Sequence, residues 1–186
     1  MTLLLCTLLA VQPRFLGPPE KRPDAGSARP VQAGELAPPL VGELENPPDG
    51  GARTFDLSAI VGPGAAEPAP AVLIAFFASW CAGCADELRL VRQLASEYRS
   101  RGLRAVVVDL GGDDPLPASL LDGEGGAILV VNDRSQVAAR RWLGAKPELP
   151  ALVVVGRNGE VRAIAGCCAA DAVASVRAAI DGALAR

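Results

Sequence analysis

The apolar residues of the chain repeat with two different periods. From Ala71 to Phe77 seven consecutive positions are apolar, a run without polar alternation that predicts a strand buried on both faces. The period then changes: Leu88, Val91, Leu94, Ala95 and Tyr98 recur at helical spacing, Asp86, Arg89, Arg92 and Arg99 occupy the positions between, and Gly102 is the stop. Arg104 to Leu110 predicts a second strand, so this stretch is a βαβ unit, parallel and right-handed. A third strand is predicted over Ala127 to Val131, a short helix over Gln136 to Leu143 and a fourth strand over Ala151 to Val155. Asn158-Gly159 is a strong hairpin signal, which sets Glu160 to Ile164 antiparallel to the fourth strand. A last helix, Asp171 to Ala185, is expected to bury Val173, Val176, Ile180 and Leu184. The order predicts an α/β domain whose central mixed β-sheet is flanked by helices on both faces.

The N-terminal third follows neither period. Twelve of the sixteen prolines fall in the first 70 residues, where they deny the backbone both helical and ladder hydrogen bonds. Residues 1–33 are read as an apolar N-terminal segment followed by a Pro-rich linker, and 34–186 as the folded domain, a size that gives one proper core and not two. Leu3 to Val11 is apolar enough for the centre of a secretion signal and too short to span a bilayer. It is an incomplete signal, since no basic residue precedes it and no small-x-small site closes it.

Charge narrows the function classes. Eighteen basic and twenty-one acidic residues leave a net charge of -3 with no basic run, which argues against a nucleic-acid partner. Histidine is absent, removing the commonest general base, the commonest metal ligand and every Ser-His or Cys-His nucleophile. The acidic stretch Gly111 to Gly126, with Asp113, Asp114, Asp122 and Glu124, has no dense ligand pattern and reads as a solvated loop. Chemistry must come from thiols, carboxylates or backbone.

Of the five cysteines, Cys81 and Cys84 stand three apart at the expected start of the first helix. That spacing puts both thiols on one side of a turn, close enough for a small disulfide ring. The positive end of the helix dipole stabilises a thiolate there, lowering the pKa from the free value of roughly 8.5. Cys81 is the candidate nucleophile and the more exposed of the two, and Cys84 the resolving thiol. A lone CxxC is also half of a zinc site, and it is the strand before and the amphipathic helix after that favour redox chemistry. Glu87 shares a helix face with Cys84 and is placed either to relay its proton or, as an ordinary first-turn glutamate, to help the dipole. Cys167 and Cys168 are read as two small, buried residues, or else as an auxiliary thiol pair. Trp142 is expected in the core, and Trp80 beside Cys81 at the substrate surface.

The run Phe76-Phe77-Ala78-Ser79-Trp80-Cys81-Ala82-Gly83-Cys84 and the later Leu149-Pro150 before a strand and turn resemble the thioredoxin superfamily, and the likeness extends from about Gly34 to the C-terminus. Gly34 to Leu40, Glu87 and the lead from Ala127 to Leu143 resemble most the TlpA-like (redoxin) extracytoplasmic disulfide reductases. The resemblance implies a thioredoxin-like fold, a cis Pro150 facing the cysteines, and Leu149 pairing its backbone with an extended substrate. It also implies a Gly166 loop beside that proline, a protein or peptide disulfide substrate and an upstream thiol donor protein. Neither cofactor nor metal is expected, and a monomer is. Three departures stand out: Ala75 replaces the family's buried strand carboxylate, Ala82-Gly83 lacks the usual proline, and Arg89 replaces another.

A peroxiredoxin shares this fold but needs a threonine or serine three residues before its cysteine and a proline seven before, where this chain has Ala78 and Ile74. A binding adaptor without turnover would not need both thiols. A four-thiolate zinc site would have to use the vicinal pair, which is awkward for tetrahedral closure. Metal analysis of the purified protein is expected to find no zinc; one zinc per chain would replace the redox reading.

Overall fold

The computed structural model describes residues 29–111, 116, 128–166 and 169–185. Its centre is β3 (Ala71–Phe77), every residue of which is buried. Period-two geometry sends alternate side chains to opposite faces. Val72, Ile74 and Phe76 enter one apolar cluster, and Ala71, Leu73, Ala75 and Phe77 another. The continuous apolar run is therefore two alternating patterns superposed.

Beside β3 lie β4 (Leu103–Asp109), parallel, and β6 (Ala151–Gly156), antiparallel. With β5 (Leu129–Asn132) beyond β4 and β7 (Val161–Gly166) beyond β6, five strands among the described residues form one mixed sheet in the order β5-β4-β3-β6-β7. Helices α1 (Cys84–Tyr98) and α3 (Ala170–Leu184) cover one face, and α2 (Val137–Leu143) covers the other. On α2's side Trp142 is fully buried, its ring 6.0 Å from that of Phe76.

Most of the predicted elements are present, with ends shifted by a residue or two. Helix α1 ends at Tyr98, a 3-10 turn follows, and Gly102 closes it at φ +94°, a conformation open to glycine. Two details differ. In α3 Val176, Ile180 and Ala183 are buried, whereas Val173 and Leu184 are only half-buried, because the helix rests on β6 and β7 along a narrower stripe than its apolar residues cover. A second, two-stranded sheet of β1 (Val41–Glu43) and β2 (Thr54–Asp56) was not expected; these three-residue strands contain Gly42 and Asp56 and carry no alternation that marks them. The packed body begins at Val31, which is buried and donates its amide to the Trp142 carbonyl at 2.9 Å. Most of the acidic stretch and both Cys167 and Cys168 lie outside the described residues.

Asp133, also buried, fixes where α2 starts. Its carboxylate accepts the amides of Ala138 at 3.1 Å and Ala139 at 2.7 Å, satisfying donors that a helix start leaves open. The turn between holds Gln136 at φ +58°. Asp133→Ala should cost about 1–2 kcal/mol of stability, the range for losing a helix cap, read as a lower denaturant midpoint with an unchanged slope.

Candidate active site

Topology decides what meets Cys81. Because β3 and β6 are antiparallel, the C-terminal end of β3 lies beside the N-terminal end of β6, with Phe76 opposite Ala151. Ala151 in turn lies opposite Gly166, the last residue of β7. The loop after β3, the Leu149-Pro150 segment and Gly166 thus converge at one end of the sheet. The Leu149-Pro150 peptide bond is cis. An added side chain at Gly83 would sit 3.4 Å from the Pro150 ring, and one at Gly166 would sit 3.9 Å from the Pro150 carbonyl.

The loop itself is held by backbone. Leu110 donates to the Phe77 carbonyl at 2.8 Å, Ser79 to that of Gly111 at 3.4 Å and Cys81 to that of Ala78 at 3.1 Å. Gly111 is in turn anchored to the buried Asp109 carboxylate, 2.9 Å from its amide. The support from Asp109 is a feature that sequence reasoning missed, because Asp109 looks like the polar end of a strand. Pro150, which the resemblance placed facing the cysteines, lies against Gly83 between them.

Helix α1 begins at Cys84, one turn later than the sequence suggested, so Cys81 belongs to the turn leading into it. Gly83 occupies the cap position and no side chain caps the helix. Cys81 therefore sits just ahead of an uncapped helix start, where the dipole favours a thiolate. Cys81 and Cys84 are joined as a disulfide with Cα atoms 5.4 Å apart. Their exposure is unequal: Cys84 is fully buried, Cys81 only partly. Leu149 is likewise half-buried, and both Cys81 and Leu149 touch the clusters on both faces of the sheet. Trp80 projects beside them, 61% exposed.

Glu87 is not the exposed first-turn residue of the simpler reading. It is fully buried, and neither carboxylate oxygen has a hydrogen-bond partner among the described residues. Burial disfavours its charged form, and the carboxyl pKa is pushed up from 4.5 to about 8. Three residues after Cys84 and on the same helical face, it belongs to the side of the sheet that Ala75 also faces. Asp86, by contrast, points outward to an ion pair with Arg89.

A bonded cysteine pair of unequal exposure on this thioredoxin-like fold is the site of a thiol-disulfide oxidoreductase. The chain belongs to the AhpC/TSA family, whose profile matches residues 34–164. Among solved structures it is similar to a Chlorobium tepidum protein assigned as thiol:disulfide interchange protein DsbE, with 22% identity, TM-score 0.62, and coverage of 83% of this chain and 99% of that one. It is also similar to a secreted Mycobacterium tuberculosis disulfide oxidoreductase homologous to Escherichia coli DsbE (18%, TM-score 0.55, 77% and 95%). A reduced 2-Cys peroxiredoxin from Plasmodium vivax shares the fold as well (16%, TM-score 0.57, 82% and 81%). No curated protein matches the sequence.

Glu87 ties stability to pH. A carboxyl whose pKa rises on folding stabilises the native state fully below its unfolded value, and the contribution is lost as pH rises through the folded value. Relative to Glu87→Gln, the oxidised wild type should therefore lose stability between pH 4.5 and pH 8, by roughly 4 kcal/mol at most. Denaturant titrations of both proteins across that window check this, and a constant difference would show that Glu87 titrates as an ordinary carboxylate.

Proposed function

We propose that the protein reduces disulfides of protein or peptide substrates laid along the groove between Trp80, Leu149, Pro150 and Gly166. The observation that carries this reading is the unequal exposure of a bonded cysteine pair, Cys81 reachable and Cys84 buried behind it.

In the reduced protein the Cys81 thiolate attacks one sulfur of the substrate disulfide, forming a mixed disulfide and releasing the other sulfur as a thiolate. Cys84 then loses its proton and attacks the Cys81 sulfur. The substrate leaves with its second thiolate, and the Cys81-Cys84 disulfide remains. Two electrons have passed to the substrate, and a thiol donor protein returns two to the pair.

In its ionised form, the minority at pH 7, Glu87 receives the Cys84 proton in this scheme. Its pKa of about 8 lies close to the ordinary thiol value of roughly 8.5, so transfer between the two is nearly balanced in energy. Held mostly neutral at pH 7, it also places little negative charge at the helix start, where it would oppose the Cys81 thiolate. Substrate backbone pairs with Leu149 as a short added strand.

A site outside the cytoplasm fits the apolar N-terminal run and the secreted relative, and the protein works as a monomer. Among the described residues no helix is long and apolar enough to cross a membrane. The peroxiredoxin reading is disfavoured because Ala78 and Ile74, the positions that would need a hydroxyl and a proline, are core residues. The adaptor reading separates from ours by turnover.

With a model protein disulfide as substrate, wild type should turn over and Cys81→Ser should not. Cys84→Ser should accumulate a mixed disulfide visible by mass spectrometry. Equal turnover by wild type and Cys81→Ser would reject the mechanism.

A further inference from the structure

Two cavities adjoin at the end of the sheet opposite the cysteines. The larger, about 850 Å³, lies among the end of α1, the start of β4 and residues 67–70; the smaller, about 470 Å³, lies between residues 62–68 and the β6–β7 turn. They share Pro68 and Arg157, so they form one groove. The seven residues of β3 separate it from the Cys81 loop by about 20 Å.

Its charge runs against that of the chain. The protein carries a net charge of -3, yet Arg99, Arg104 and Arg157 line the groove against Glu67 alone. All three arginines are exposed, and among the described residues none forms an ion pair. Arg162 on the smaller cavity's wall is held by Glu160 at 3.3 Å and Asn158 at 3.1 Å. Its Nε, lying over Gly156, is buried without a hydrogen-bond partner among the described residues.

The walls are preformed. Pro63, Pro68 and Pro70 supply them, and the Pro70 ring lies so close to Gly102 that a side chain there would come within 3.0 Å of it. Binding to such a surface needs little ordering of the protein.

We propose that this groove docks an extended acidic segment of a partner polypeptide. Guanidinium groups pair with carboxylates through two parallel hydrogen bonds. Arg104 is on β4 and Arg157 follows β6, the strands on either side of β3, which spaces them by roughly 10 Å. One anionic group does not span that distance, whereas side chains three residues apart on a polyproline-type extended chain do, lying one turn apart at about 3.1 Å per residue. A lipid surface is a poor fit to a concave wall. A partner held here leaves the Trp80–Pro150 face open and raises its own effective concentration at Cys81.

The test uses the full oxidised chain and a fluorescein-labelled peptide of repeating Glu-Pro-Pro, which carries a carboxylate at every third residue, followed by anisotropy at low salt. Saturable binding is expected, weakened roughly ten-fold in R99Q/R104Q/R157Q and changed by less than about two-fold in R53Q/R140Q, whose arginines lie outside the groove. Turnover of a small-molecule disulfide should be equal in all three proteins, which reports correct folding and keeps the result separate from the redox reading. Absence of saturable binding overturns the proposal, as does equal weakening in the R53Q/R140Q control. Binding to phosphatidylglycerol vesicles but not to the peptide overturns it in favour of a membrane surface.

Discussion

The antiparallel pairing of β3 with β6 is the constraint on which the rest of the molecule depends. β3 is buried on both faces, so its register with its neighbours is fixed by apolar packing: a slip of one residue would exchange the side chains of the two clusters. With that register set, Phe76 faces Ala151 and Ala151 faces Gly166. The cis Leu149-Pro150 bond then arrives beside the cysteine loop, where Pro150 lies against Gly83. Its position follows from burial in the centre of the sheet.

On this frame the two cysteines acquire different surroundings from three residues of separation. Cys81 sits in a turn at the seam between the two apolar clusters and reaches the surface, while Cys84 begins a helix and faces inward with Leu88 and Val91. The same helical face carries Glu87 into an environment with no hydrogen-bond partner among the described residues. Thioredoxins place a carboxylate on the strand at the position of Ala75. Here the buried carboxyl on that side of the sheet is Glu87 on the helix, and burial raises its pKa to about 8.

Much of this was legible in the residues, for physical reasons that can be named. A buried strand followed by an amphipathic helix is a change of period, and period is visible locally; so are the CxxC spacing and the Asn158-Gly159 turn. The departures were of another kind. The β1–β2 pair is short and breaks alternation with Gly42. The depth of Glu87 depends on how closely α1 packs on the sheet, which the helix's own pattern does not encode, because a glutamate on the inner stripe and one at its margin are written alike. The meeting of Pro150 with the cysteine loop was legible only through the resemblance, because it joins residues far apart in sequence and exists only once the strands are ordered.

The two tryptophans divide the chain's optical signal. Trp142 is enclosed in the core against Phe76, and Trp80 stands in solvent beside a disulfide. Disulfides quench a neighbouring indole, and emission shifts to the red when an enclosed indole meets water. Intensity from Trp80 and emission wavelength from Trp142 therefore record two different events, opening of the cysteine pair and loss of the core. A single unlabelled sample reports its redox state and its folding state at the same time.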